Sequence, residues 1–246
     1  MDPLDIFVLA GLILAGAFLY SSVGHGGASG YLAAMALFGL APAVMKPTAL
    51  VLNILVSGIA AWRFVRAGYF SWNIFWPVML ASVPCAFAGG FLTVPDTIYK
   101  GIAGLFLLFS AYRLLFHRRG LPDRERPMPI PAALLAGAGI GFMSGLAGVG
   151  GGIFLSPLLL LTGWADARKT SGIAAMFVLA NSVSGLGGHF VSNMQALPSY
   201  VAIFAAAAVL GGLAGSHMGS KRAAKPTILR LLAVVLIIAA CKLLLV

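Results

Sequence analysis

Apolar residues run along this chain in long blocks, and polar residues gather in the gaps between them. A helix that crosses the hydrocarbon of a bilayer needs about 20 apolar residues. The blocks that follow this pattern are Leu4 to Tyr20, Ala28 to Leu40, Ala43 to Trp62, Trp72 to Val94 and Ile98 to Phe116, then Pro131 to Leu146, Ile153 to Leu161, Thr170 to Phe190, Leu197 to Gly215 and Ile228 to Val246. They predict an all-α integral membrane protein. The one long hydrophilic gap, His117 to Pro129, carries basic residues with Asp123, Glu125 and prolines, so it reads as a linker. That divides the chain into a first membrane repeat (1–116), a basic cytoplasmic linker (117–130) and a second membrane repeat (131–246).

The division is supported by self-similarity. Tyr20 to Ala33 (YSSVGHGGASGYLA) aligns without a gap to Ser144 to Pro157 (SGLAGVGGGIFLSP) at an offset of 124 positions. Under that offset Phe18 meets Phe142, Gly24 meets Gly148, Gly26 and Gly27 meet Gly150 and Gly151, and Leu37, Gly39, Ala41 and Ala43 meet Leu161, Gly163, Ala165 and Ala167. Each repeat holds five apolar segments, an odd number, so the second starts on the opposite side of the membrane and the two are inverted. Ala28 to Leu40 and Ile153 to Leu161 are short, and each follows a glycine cluster at once. The first two segments of each repeat either both cross or form a re-entrant hairpin with the glycines at its tip, which leaves between six and ten spans. Pro42 and Pro47 around Lys46, with Pro77, Pro84 and Pro157, are expected to interrupt helices. The spacings Gly185, Gly188 and Gly211, Gly215 suit close helix packing.

Composition excludes a soluble globule: 61% of residues are apolar, 9% are charged and the mean hydropathy is +1.01. Too little polar surface exists to coat a soluble domain. The net charge of +10 does not point to nucleic acid, because the basic residues are not one stripe interleaved with aromatics. Arg63 and Arg66, His117 to Arg119 with Arg124 and Arg126, Arg168 and Lys169, and Lys221, Arg222 and Lys225 lie between apolar blocks. An alternating thread with the N-terminus outside puts every one of these clusters in the cytoplasm. The protein is expected in the plasma membrane, the inner membrane in a bacterium. Asp2 and Asp5 stand where a cleaved signal would be basic, so insertion is expected to rely on the spans. Cys85 and Cys241 have no CxxC partner, which argues against a disulfide or a metal site; no cofactor is implied.

Glycine runs ahead of a helix leave backbone N–H groups unpaired at the positive end of the helix dipole, a ready anion site. Gly148, Gly150, Gly151 and Gly152 form one such run, and Gly24, His25, Gly26 and Gly27, with Ser22 beside them, form its mirror. Asn53 and Ser57 share a helix face at i, i+4, and Ser57 meets Asn181 under the offset, with Ser182 and Ser184 following. These groups donate hydrogen bonds to an oxyanion without charge. The six acidic residues, Asp2, Asp5, Asp96, Asp123, Glu125 and Asp166, fall at segment ends or in loops, whereas a cation carrier usually places an acid within the membrane. His25 is a candidate for a substrate or proton role, and His189 faces the outer interface. Lys46, Arg168 and Lys169 begin the third segment of each half and are candidates for drawing anions into two vestibules.

Gly148-Val149-Gly150-Gly151-Gly152 followed by Pro157, with the weaker copy in the first half and the basic linker, resembles the TauE/SafE family, the sulfite exporter or toluene sulfonate uptake permease family. The resemblance covers essentially the whole chain. It implies an inner-membrane carrier of sulfur-containing anions such as sulfite, sulfonates, sulfoacetate or thiosulfate. The first half departs from the pattern, with Ala28 in place of the third glycine, Ala33 in place of the proline and His25 where Val149 stands later. The expected partners are a small anion, membrane lipid, a coupling ion (H⁺ or Na⁺) and, for a homodimer, a second copy. Two alternatives stay open: a passive anion channel of the same fold, and an intramembrane serine protease in which Ser29, within Gly27-Ala28-Ser29-Gly30, pairs with His189.

Overall fold

A computed structural model describes residues 2–116, 126–192 and 197–219, with residues 236, 237, 240, 241 and 244 of the last apolar block. Most of the linker and the cluster Lys221, Arg222 and Lys225 lie outside the described residues. The helices are α1 (Pro3–Ser21), α2 (Ala28–Leu37), α3 (Pro42–Arg66), α4 (Trp72–Phe91), α5 (Asp96–Phe116), α6 (Ile130–Ala147), α7 (Gly152–Thr162), α8 (Ala167–Ser192) and α9 (Val201–Gly219). Their starts follow local chemistry. The carboxylate of Asp2 accepts from the amide of Leu4 with Pro3 in the first turn of α1, and Asp166 accepts from the amides of Arg168 and Lys169 at 2.8 Å. Both are N-caps that satisfy orphan amides.

Among the described residues, α1, α3, α4, α6, α8 and α9 are long and apolar enough to cross a membrane. The short helices α2 and α7 have 10 and 11 residues, roughly 15 to 17 Å at 1.5 Å per residue, about half the hydrocarbon thickness. Neither crosses alone. α2 turns back along α1, with Gly30 set against Tyr20 and Gly16 against Tyr31.

The prolines behave differently from expectation. Pro47, Pro77, Pro84 and Pro157 sit inside continuous helices, and Pro42 opens α3. A single missing donor is tolerated within a span where neighbouring helices enclose the freed carbonyl, and Pro42 occupies the first-turn position where no donor is required.

Close packing rests on glycine stripes at four-residue spacing. On α6, a Cβ at Gly137, Gly141 or Gly145 would collide with the carbonyl of Val78, Ser82 or Ala86 on α4. On α9, Gly211, Gly215 and Gly219 stand in the same relation to Leu14 and Phe18 of α1 and to Ser22, its C-cap. In each pair the numbers rise together, so the helices are parallel. Backbones in such contact gain dispersion that larger residues would forbid. Gly188 packs on the carbonyl of Phe87 and Gly90 on that of Gly185, which joins α4 to α8. In the centre α3 and α8 run antiparallel: Phe64 lies by Gly172, Gly58 by Leu179, and Lys46 shares a cavity with His189.

Candidate functional site

The breaks between α1 and α2 and between α6 and α7 meet at the middle of α3 and α8. Gly26 of the first break and Gly150 of the second both press on Asn53 and Val178. The Asn53 amide lies between them: its Nδ2 donates to the carbonyl of Val149 at 3.2 Å, while a Cβ on Gly26 would meet its Oδ1. Val178 also backs Gly152, and Ser182 backs Gly150. One asparagine and one valine therefore hold the two glycine clusters together.

His25 closes the junction. Its Nε2 lies 3.0 Å from the carbonyl oxygen of Gly152 and 3.0 Å from the hydroxyl of Ser156, both in the second half. Gly27 and Gly151 are the N-caps of α2 and α7, both left-handed and neither supplying a side-chain cap. The first bonded amide of α2 is that of Tyr31, on the carbonyl of Gly27, and the first of α7 is that of Phe154, on Gly151. Ahead of these, first-turn N–H groups have no intrahelical acceptor, so two helix starts turn donors without helical partners toward one place. The space between them is small. Tyr20, His25, Gly26, Gly27, Val149 and Gly152 are among the residues around a cavity of about 10 Å³, room for about one water.

Polar atoms without partners lie beside both glycine clusters. Asn53 Oδ1 faces Gly26, Ser182 Oγ faces Gly150 and Ser144 packs beside Gly151; Asn53 Oδ1 and the two serine hydroxyls are buried with no hydrogen bond. Buried polar groups normally find partners.

Other expected residues go elsewhere. Gly24 packs on the backbone of Ser171 in α8 and Gly148 on Lys46 in α3. The hydroxyls of Ser22 and Ser57 donate to Leu19 and Asn53 within their own helices. Asn181 turns to α4, where its Oδ1 accepts from Ser82 at 2.9 Å. Ser29 lines the small cavity with His25, while His189 lines a different one with Lys46. The geometry does not assemble the serine–histidine pair of a protease. Sequence reasoning passed over Ser156, Ser144 and Tyr31, whose hydroxyl donates to the carbonyl of Gly26 at 2.6 Å. For Ser156 a signal existed: it stands four residues after Gly152, on the same face of α7.

The basic candidates separate to opposite ends. Lys46 is 6% exposed, and its ammonium donates to the carbonyls of Gly89, Gly90 and Leu92 at 3.4, 3.1 and 3.4 Å. It caps the C-terminus of α4, where a cation complements the helix dipole. It also lines an open cavity of about 130 Å³ with Asp96, Tyr99 and His189. At the other end of α8, exposed Arg168 donates to the hydroxyl of Tyr69 at 3.0 Å, and Lys169 is half-buried. Lys46→Met strips the charged cap from three carbonyls and is expected to cost about 1–3 kcal/mol, seen as a lower unfolding temperature in detergent. Arg168→Met, which loses an exposed contact, is expected to stay within about 0.5 kcal/mol of the native protein. Equal stability of the Lys46 variant would show the cap to be dispensable.

The chain is 38% identical over 234 residues, 93% of its own length and 94% of the other's, to the probable membrane transporter protein y4hK of Sinorhizobium fredii. It is 27% identical over 205 residues, 78% of its length and 74% of the other's, to the probable membrane transporter protein MJ0441 of Methanocaldococcus jannaschii. No solved structure matches it. The sequence profile of the family described as "Sulfite exporter TauE/SafE" matches residues 8–243, from near the start of α1 into the last apolar block. This is a multi-pass plasma-membrane transport protein, and the chain belongs to the TauE/SafE family.

Proposed function

We propose that the protein is a secondary carrier of small sulfur-containing anions, such as sulfite, sulfonates, sulfoacetate or thiosulfate, which it holds near midplane between the starts of α2 and α7. The observation that carries this reading is the convergence of two uncapped, glycine-led helix starts, one from each half, on the shared wall of Asn53 and Val178. Oriented amides bind an anion without a fixed cation, so release stays easy. The described acidic residues stand at helix ends: Asp2, Asp96 and Asp166 at the starts of α1, α5 and α8, and Asp5 in the first turn of α1. Among the described residues no carboxylate lines the junction cavity.

An inverted repeat is supported by several independent recurrences at the offset of 124. The left-handed glycines pair as Gly24 with Gly148, Gly27 with Gly151 and Gly39 with Gly163. Exchanging the halves turns the α4–α6 packing into α9–α1, with α3 and α8 antiparallel in the middle. On this reading residues 1–116 and 131–246 are the two repeats, the N-terminus is outside and 117–130 is cytoplasmic. The cavity at the junction holds about one water, too little for a sulfonate, so the site must open to load. Wider cavities stand toward each end. One is lined by Lys46 and His189, and the other, of about 330 Å³, by Asn73, Arg126 and Trp164. Rocking one repeat against the other about a closed centre is alternating access, not a continuous pore. Each chain holds a complete site, so a homodimer would carry two.

The test is a thermal-shift screen of purified protein against sulfite, thiosulfate, sulfate, taurine, sulfoacetate and simple carboxylates, followed by liposome flux. A ligand that binds the folded state alone, at about 100 times its Kd, stabilises by about 2.7 kcal/mol. Sulfur oxyanions or sulfonates are expected to stabilise and to be concentrated. Stabilisation by amines or metal cations alone would remove the anion reading, and flux that only equilibrates would make the protein a channel.

A further inference from the structure

We infer that His25 is the coupling-proton site, so that the protein moves one proton with each anion. This deepens the carrier reading above and rests on it. His25 Nε2 faces the carbonyl of Gly152 at 3.0 Å, and a carbonyl can only accept, so that nitrogen carries a hydrogen in every state that keeps the contact. The second proton is taken up at Nδ1. The hydroxyl of Ser156, at 3.0 Å from the same Nε2, then uses an Nε2 hydrogen as acceptor and keeps its own hydrogen for another group.

The surroundings make proton and anion interdependent. Gly152 is the first residue of α7, and Gly27, the N-cap of α2, borders the same cavity. An imidazolium here faces the positive ends of two helix dipoles when the site is empty and an anion when it is filled. Each ligand therefore favours the other, and linkage makes the effect reciprocal. Uncharged side chains stand around the ring. α1 brings Tyr20, whose ring lies 6.5 Å from the imidazole centroid, and α2 brings Tyr31, whose hydroxyl is committed to Gly26. α3, α7 and α8 bring Asn53, Ser156 and Val178. Lys46, His189 and Asp96 line the separate cavity toward one end. The contact also spans the two halves, so a change in its charge is felt by both parts that must move.

The probe is methanesulfonate, which stays ionised across the working pH range, so any proton that moves is the protein's. In proteoliposomes the native protein is expected to take up one proton per methanesulfonate, read by an entrapped pH dye, and to concentrate the anion down an inward proton gradient in the absence of sodium. His25→Gln keeps a donor but cannot titrate. It is expected to lower counterflow, and the residual flux is expected to carry no protons and to ignore the pH gradient. A merely structural histidine would lower the rate and leave the proton-to-anion ratio at one, which would overturn the inference. Should His25→Gln fail to fold, proton uptake on binding is measured with the native protein in weakly buffered detergent. One proton taken up per anion bound supports the proposal, and none defeats it. Native counterflow that proceeds without protons or that requires sodium defeats this inference alone. Absence of any counterflow or binding removes the carrier reading with it.

Discussion

Gly150→Val is expected to abolish anion binding and flux beyond any loss of folded protein. Gly150 has φ +77°, in the left-handed region, and a Cβ there would lie 2.7 Å from Val178, 2.8 Å from Asn53 Nδ2 and 2.9 Å from Ser182 Oγ. Two penalties add. A side chain at this φ costs on the order of 1–3 kcal/mol in backbone strain, so Gly150→Ala loses stability as well. The branches of valine must also occupy the space in front of the amides proposed to hold the anion. Gly26 separates the two causes, because it lies outside the left-handed region, yet its Cβ would meet the Asn53 amide. Gly26→Ala is therefore expected to impair binding with less loss of stability than Gly150→Ala. The measurement is ligand binding and liposome flux, both normalised to folded protein. Normal binding by well-folded Gly150→Val protein would show that the glycine junction is scaffold and that the anion sits elsewhere.

The parts of this molecule that were legible in sequence are those set by local information. Apolar length marks the spanning helices, because a bilayer imposes its thickness on each segment separately. The glycine clusters and their offset were legible because the short helices need left-handed caps at both copies, and Gly27 and Gly151 supply them. What stayed hidden depends on which surface faces which. Lys46 reads as a charge at the start of a segment, yet its ammonium serves the end of α4 more than 40 residues away. Ser22 and Ser57 look like donors to a substrate, but their hydroxyls donate to Leu19 and Asn53 one turn back; Asn181 accepts from Ser82 of α4 through Oδ1, and its Nδ2 has no hydrogen-bond partner. Pro47, Pro77, Pro84 and Pro157 looked like breaks because sequence shows the lost donor and not the enclosing neighbours. His25 was visible as the odd member of its cluster; its partners Gly152 and Ser156 became visible only when the halves were brought together.

Gly145→Leu and Gly215→Leu are expected to lose folded protein and activity in step, the reverse of the behaviour at Gly150. Both lie in ordinary helix backbone, so conformation is not the cause. Contact is: a Cβ on Gly145 would strike the carbonyl of Ala86 and come within 2.8 Å of the Gly90 amide nitrogen, and one on Gly215 would strike the carbonyl of Phe18. Backbone atoms cannot swing aside as a side chain can, so α6 must leave α4, or α9 must leave α1. Adding even small groups to a filled interface costs about 1–3 kcal/mol, and here the effect should grow from alanine to leucine. The control lies on the same helix. Gly139 of α6 has nothing within 4 Å of its Cβ position, and Gly139→Ala is expected to be neutral or to stabilise by up to about 1 kcal/mol, since glycine is the poorer helix former. Size-exclusion profiles and unfolding temperatures in detergent decide the matter. If Gly145→Leu ran as a single species with native stability, α4 and α6 would not be in backbone contact. The parallel pairing on which the exchange of halves depends would then fall with it.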